Sequence, residues 1–78
     1  MTTTREDIAR WFRKGQEEGA THMIVVCDTY NLVDYPVFVM PGENARTEAE
    51  KHDKVMEVYS LSKNLNTQLN KHRAFHYD

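Results

Sequence analysis

The apolar run at residues 23–27 constrains the fold of this 78-residue chain more than any other feature. It reads Met-Ile-Val-Val-Cys, which is rich in β-branched residues and too short for a typical core helix, so we predict a strand over 22–28. Alternation along a strand divides these side chains between two faces, with Ile24 and Val26 on one and Met23, Val25 and Cys27 on the other. Both faces are therefore apolar. Such a strand needs one helix over each face, or two helices on one face and a second subunit on the other.

A second predicted strand follows within ten residues. Residues 37–40 are apolar, with Pro36 at the entrance and Pro41-Gly42 at the end, and this placement of proline suits the start of a strand or an edge strand. Residues 31–34 connect the two strands. The simplest pairing is an antiparallel hairpin.

The N-terminal segment has the pattern of an amphipathic helix. Thr3 and Thr4 precede Glu6 and Asp7 at the spacing of a capping box, and Gly19 is suited to the left-handed turn that ends a helix. Apolar or small residues then recur at helical spacing, at Ile8, Trp11, Phe12 and Gly15.

The C-terminal part predicts a second, long helix. Asn44 or Thr47 can cap it, and neither Gly nor Pro interrupts residues 43–78. Apolar and aromatic positions recur every three or four residues, at Val55, Val58, Leu61, Leu65, Leu69 and His72. A helix over about 47–75 would be roughly 40 Å long, against roughly 23 Å for a seven-residue strand. The sequence therefore predicts one α+β domain over 1–78, helix–strand–strand–helix, with an antiparallel β-hairpin and a long C-terminal helix.

The size of the chain favours self-association. A domain this small buries only about 60% of its unfolded surface. The predicted helix also extends beyond the predicted sheet, so part of it has to kink, protrude or pack against another chain. We predict a homodimer with Leu61, Leu65 and Leu69 in its interface.

Charge and composition exclude several classes of function. The formal net charge is −2, and residues 21–60 hold seven acidic against three basic residues, which gives no electrostatic reason to bind nucleic acid or an anionic membrane. No apolar run approaches the roughly 18–20 residues that cross a bilayer. The polar N-terminus lacks the core of a secretory signal, and the single cysteine suits a reducing compartment. A cytoplasmic location is expected.

No catalytic or metal-binding constellation is evident. Cys27 lacks an Arg six positions later, where Val33 stands, and Asp28 lacks a second Asp two positions later, where Tyr30 stands. A buried structural thiol and a turn-forming carboxylate explain this pair. His72 and His76 are spaced i, i+4, but two ligands do not make a zinc site. We predict no enzyme activity, no metal and no cofactor.

One segment has the composition of a binding surface. Asp28 and Asp34 frame the hairpin connection, Tyr30 and Tyr35 lie beside them, and Glu43 follows in the next segment. Aromatic residues surrounded by charge are typical of binding hot spots. We predict that a partner protein with a basic surface docks here. Two alternatives stay open: a small-molecule or nucleotide pocket at a dimer seam near the tyrosines, and, less favoured, a metal-dependent enzyme that uses the histidines and Cys27.

The chain resembles short uncharacterised proteins of phage and mobile-element type. The resemblance rests on residues 19–29, on Asp34-Tyr-Pro-Val37 and on 69–77, and it covers most of the chain without a diagnostic motif. It implies a context and no active-site residue. Small proteins of that origin often act by binding a host component, including components of antiviral defence, and occluding its surface.

Overall fold

A computed structural model of the chain describes residues 3–69 and 75–77, and has an α+β fold. Within these residues, three helices and three strands follow one another in this order: α1 (Arg5–Glu17), β1 (His22–Cys27), β2 (Asp34–Val39), α2 (Ala45–Glu50), β3 (Val55–Ser60) and α3 (Leu65–Leu69). The strands form one antiparallel sheet in the order β2-β1-β3. The apolar run that dominates the sequence is thus the central strand.

The predicted first helix is confirmed together with its capping box. The side-chain oxygen of Thr4 accepts a hydrogen bond from the Asp7 backbone N–H at 3.1 Å, and the Asp7 carboxylate accepts one from the Thr4 N–H at 3.1 Å. The bond from the Thr4 N–H is the largest cause that lowers the pKa of Asp7, and the Arg10 guanidinium beside the carboxylate adds to the effect. Beyond the helix, Gly19 has φ +79°, the left-handed conformation that was predicted for its end.

Close packing of α1 on the sheet depends on Gly15. A Cβ atom at this position would lie 2.8 Å from Leu61 Cδ1 and 2.9 Å from Phe38 Cδ1, closer than van der Waals contact permits. The helix therefore approaches the sheet at a point where only glycine fits without rearrangement.

The predicted hairpin is also confirmed, with shifted bounds. β1 and β2 are antiparallel, and His22 pairs with Val39 while Cys27 pairs with Asp34. β2 begins at Asp34 rather than at Val37, so that Pro36 lies inside it. Because β2 is an edge strand, a proline there need not break the hydrogen-bond ladder to β1.

The prediction of a long C-terminal helix was wrong. Residues 45–69 form two short helices with β3 between them, and β3 completes the sheet on the other side of β1. A β-bulge explains the error: Val25 pairs with Glu57 and Val26 with Val55, which leaves Met56 as an extra residue. The bulge places Val55 and Val58 on the same face although they are three residues apart, a spacing that is typical of a helix.

Both faces of the sheet are covered within the chain. Against one face, α1 packs Ile8 and Phe12, and α3 contributes partly buried leucines. Against the other face, α2 packs Ala45 and Ala49, whose small side chains let this short helix lie close. The strands supply the remainder of the two clusters: Met23, Val25, Tyr59 with Leu61 just after β3 on the first face, and Ile24, Val26, Val39 and Val58 on the second.

Residues 75–77 lie along the outer edge of β3. Phe75 forms a parallel bridge with Val58, and the His76 N–H donates to the Val58 carbonyl at 2.9 Å. The Tyr77 ring lies under the Arg46 guanidinium at 4.2 Å, and its carbonyl oxygen is 2.8 Å from His22 Nε2. These contacts cover part of an otherwise open edge.

A candidate docking tip and an adjacent groove

The connection between β1 and β2, residues 28–33, forms an ordered turn that we call the tip. Asp28 Oδ1 accepts from the Tyr30 N–H at 2.8 Å, and Asn31 Oδ1 accepts from the Val33 N–H at 3.1 Å. Backbone bonds from Asp28 N to the Val33 carbonyl (2.9 Å) and from Leu32 N to the Asp28 carbonyl (2.8 Å) close the turn. Side-chain carbonyl and carboxylate groups of Asn and Asp bond their own turns in this way. The shape of the tip is therefore fixed by hydrogen bonds and not by burial.

Large apolar side chains point outward from this ordered turn. Tyr30 is 96% exposed, Leu32 61% and Val33 41%, and Tyr35 at the start of β2 is 39% exposed. Single exposed apolar residues are ordinary on protein surfaces, but a contiguous group is typical of an interaction site. The tip presents three exposed, large apolar side chains within four positions of the chain, and Tyr35 follows two positions later.

Leu32 is unfavourable in this position for two reasons. Its φ is +59°, the left-handed region that glycine and asparagine adopt readily and leucine does not. Its side chain is also mostly in water, so burial does not compensate the backbone strain. Sequence reasoning missed Leu32 because the strain depends on the turn geometry.

The structure brings four of the five predicted partner-binding residues together. Asp28, Tyr30, Asp34 and Tyr35 lie within or beside the tip. Asp34 and Tyr35 are consecutive in β2 and therefore face opposite sides of the sheet. The Asp34 carboxylate accepts a hydrogen bond from the Thr3 hydroxyl, which ties the start of α1 to this end of β2.

Glu43 does not join this group. It follows the far end of β2, roughly 17 Å away from Asp34 at 3.3 Å per strand residue. Its Oε1 accepts from the Met40 N–H at 2.8 Å, so it stabilises the turn between β2 and α2. The prediction for Glu43 was based on its closeness to Tyr35 in the sequence. Because β2 runs away from the tip, Glu43 lies beyond its far end.

A groove of about 230 Å³, open to solvent, lies beside the tip. One wall is the end of β1 and the first tip residues, 26–29, and Tyr35 at the start of β2 also lines the groove. The other wall is the turn from α2 to β3, residues 51–53. Sequence analysis missed this second wall because residues 51–53 were assigned to the interior of the long helix.

The charges that line the groove are unbalanced. Lys51 Nζ is 2.7 Å from Glu48 Oε2, and this contact raises the pKa of Lys51, so its charge is already neutralised locally. Asp28 and Asp53 have no ion-pair partner among residues 3–69 and 75–77. The lining therefore carries an excess of negative charge next to an aromatic ring.

Cys27 also lines the groove and is buried, with 8% of its surface exposed. Its Sγ is 3.8 Å from the Asp28 carbonyl oxygen, a weak contact. Within the described ranges, no three His, Cys, Asp or Glu side chains are grouped to hold a metal ion. His72, the other half of the histidine pair considered above, lies outside the described residues.

The three leucines of the predicted dimer interface lie in or against the core of their own chain. Leu61 is 5% exposed in the α1-side cluster, and Leu65 and Leu69 of α3 pack against that cluster. Because the continuous helical stripe is absent, these residues do not form one exposed seam. Leu61 offers almost no surface to a second copy.

Comparisons with known proteins returned no match, whether with protein-family models, with curated proteins or with solved structures. In the part of the chain that the structure describes, no helix combines the length and the apolar character that a bilayer crossing needs.

Proposed function

We propose that this chain is a non-enzymatic binding protein that docks the tip onto a larger partner protein and occludes part of its surface. The observation that carries the proposal is the exposure of Tyr30 and Leu32 on a turn whose backbone is fixed. A rigid turn loses little conformational entropy on binding, so its apolar area contributes more of its burial energy to affinity. The resemblance to phage and mobile-element proteins suggests that the partner belongs to a host cell.

Affinity capture from a cell lysate, read by quantitative mass spectrometry, tests this proposal. The variant carries Tyr30→Ala with Leu32→Asn, which removes the two most exposed large apolar side chains of the described residues and places at position 32 a residue that accepts φ +59°. We expect a stoichiometric protein partner with the wild type and at least a tenfold loss with the variant, since hot-spot residues each contribute about 2 kcal/mol or more.

The matched control is Met40→Ala. Met40 is also a large, 39% exposed apolar residue, but it lies at the other end of β2. Partner capture should survive this change. Equal loss with the control and the tip variant, or full retention by the tip variant, would contradict docking through the tip. Recovery of a small molecule in place of a protein would instead favour the alternative of a ligand-binding protein.

A further inference from the structure

We infer that the groove beside the tip receives an arginine side chain of the docked partner. This inference rests on the proposed function and specifies the chemistry of the partner's surface at one point. The groove borders the tip directly, because Asp28 and Thr29 belong to both. A partner that covers Tyr30 therefore also covers the mouth of the groove.

The sign of the charge selects a cation. Asp28 and Asp53 line the groove without an ion-pair partner in the described residues, while Lys51 is engaged by Glu48. The Tyr30 and Val33 N–H groups of the neighbouring tip donate to the Asp28 and Asn31 side chains and are therefore not free donors for an anion. Donors remain in the lining on Thr29 and Lys51, but the Asp28 and Asp53 carboxylates repel an anion and attract a cation.

The side chains that line the groove favour an organic cation over a metal ion. No three ligating side chains in the described parts of the chain are close enough to chelate a metal. A guanidinium group is planar, carries five donors and stacks on aromatic faces, so one cation can reach both a carboxylate and the Tyr35 ring. The volume of about 230 Å³ is sufficient for a guanidinium and part of its aliphatic stem.

The test uses a defined probe and ¹⁵N-labelled protein followed by NMR. N-acetyl-arginine methylamide imitates an arginine within a chain, and N-acetyl-citrulline methylamide is its neutral isostere. We expect the arginine probe to bind with a Kd of about 1–10 mM and to shift the amide signals of Thr29, Tyr35 and His52. The citrulline probe should produce no saturable shift.

Two variants connect the binding to the carboxylates. Asp28→Asn keeps the acceptor for the Tyr30 N–H and removes only the charge, and Asp53→Asn is equally conservative. Each should weaken the arginine probe about threefold, and the double variant about tenfold. Glu17→Gln, which removes an exposed charge at the end of α1, is the control and should leave the Kd unchanged.

Three outcomes overturn the inference: no saturable shift with the arginine probe, equal binding of citrulline, or a spermidine Kd at least tenfold lower than that of the arginine probe, which would make the groove a polyamine site. The proposed function is tested independently by Tyr30→Ala with Leu32→Asn. If that variant loses its partner while the double asparagine variant keeps full affinity, the tip docks and the groove is not part of the interface.

Discussion

At the scale of single residues, Leu32 and Tyr59 both lie in unusual environments. Leu32 is strained and exposed at the tip. Tyr59 is fully buried on the α1 side of the sheet, where burial and then the neighbouring Glu57 carboxylate raise the pKa of its phenol, against a smaller lowering by Arg5. Each departure gives a measurable prediction.

Leu32→Asn should stabilise the free protein. Asparagine adopts the left-handed conformation at little cost, so the free energy of unfolding should rise by about 0.5–1 kcal/mol and the melting temperature by about 2–6 °C. Thermal denaturation followed by circular dichroism measures this. Val33→Asn removes neighbouring exposed apolar surface without relieving a positive φ and should leave the melting temperature within about 2 °C. A lower melting temperature for Leu32→Asn would show that its side chain supports the fold.

Tyr59 should make the fold sensitive to alkali. The pKa of its phenol is raised in the folded state, so the folded chain holds this proton more tightly than the unfolded chain does. Its contribution to stability is complete below the ordinary tyrosine pKa of about 10 and decreases as the pH rises above it. Urea denaturation between pH 8 and pH 11 should show a steeper loss for the wild type than for Tyr59→Phe.

Tyr30→Phe provides the comparison for this pH effect. Tyr30 is 96% exposed, so its removal should leave the pH dependence of stability as in the wild type. Identical slopes for the wild type and Tyr59→Phe would mean that the phenol ionises without cost to the fold.

At the scale of secondary-structure elements, the end of β3 depends on a side chain from α3. Gln68 is 2% exposed, and its amide group pairs with both backbone groups of Ser60: Nε2 donates to the carbonyl at 2.9 Å, and Oε1 accepts from the N–H at 2.7 Å. The glutamine amide thus takes the place of a neighbouring strand residue. A helix of only five residues is held to the sheet by this pair and by its partly buried leucines.

Gln68→Ala should therefore destabilise the fold strongly, although α3 has only five residues. The substitution leaves the buried Ser60 N–H without its partner and leaves the Ser60 carbonyl only the long, 3.4 Å bond from the Lys63 N–H, so we expect the free energy of unfolding to fall by about 2 kcal/mol. Asn66→Ala, an exposed position in α3, should change it by less than about 0.5 kcal/mol. Urea denaturation measures the free energy of unfolding of both variants. An equal decrease in the two would show that the Gln68 bonds contribute little.

The sequence predicted elements whose signals are local and missed those that depend on distant pairing. The capping box of Thr4, the turn at Gly19 and the hairpin all depend on neighbouring residues, and they were predicted. β3 was missed because the bulge at Met56 gives its buried valines the spacing of a helix. Its β-branched and aromatic composition, Val-Met-Glu-Val-Tyr, was the signal that could have identified it.

The candidate site was also predicted only where its signals are local. The tip residues come from one hairpin connection and were brought together by the sequence alone. The second wall of the groove, residues 51–53, faces the tip only because β3 pairs with β1 and not because of any local pattern. Because residues 55–60 were predicted to be helical, no feature of the sequence indicated the groove.

At the scale of the whole molecule, the reasons for expecting a homodimer are weakened. Both faces of the sheet are covered by helices of the same chain, and the long helix that was to extend beyond the fold does not exist. We now expect a monomer of 9.2 kDa at about 100 μM in light scattering. A mass of twice this value would show that the protein is a dimer. Its interface would then have to involve residues other than the buried Leu61.

Leu69→Glu separates the two possibilities further. Leu69 packs against the α1-side cluster, so a charge there should lower the free energy of unfolding by about 2 kcal/mol or more in a monomer. In a dimer with this residue at its interface, the same change would halve the mass in light scattering and remove the dependence of the melting temperature on protein concentration. Light scattering and thermal denaturation of one sample distinguish these results.

The central place of β1 also has a consequence for how the chain is made. β1 gains its first neighbour when β2 ends at Val39 and its second when β3 ends at Ser60, so a ribosome that adds roughly 5–20 residues per second needs about 1–4 s to supply the second neighbour. During this interval the nascent chain has an apolar strand with one unpaired edge, the form most prone to pair with another chain. Variants that slow the docking of β3 should therefore accumulate in inclusion bodies, even where the finished protein, once refolded, is stable.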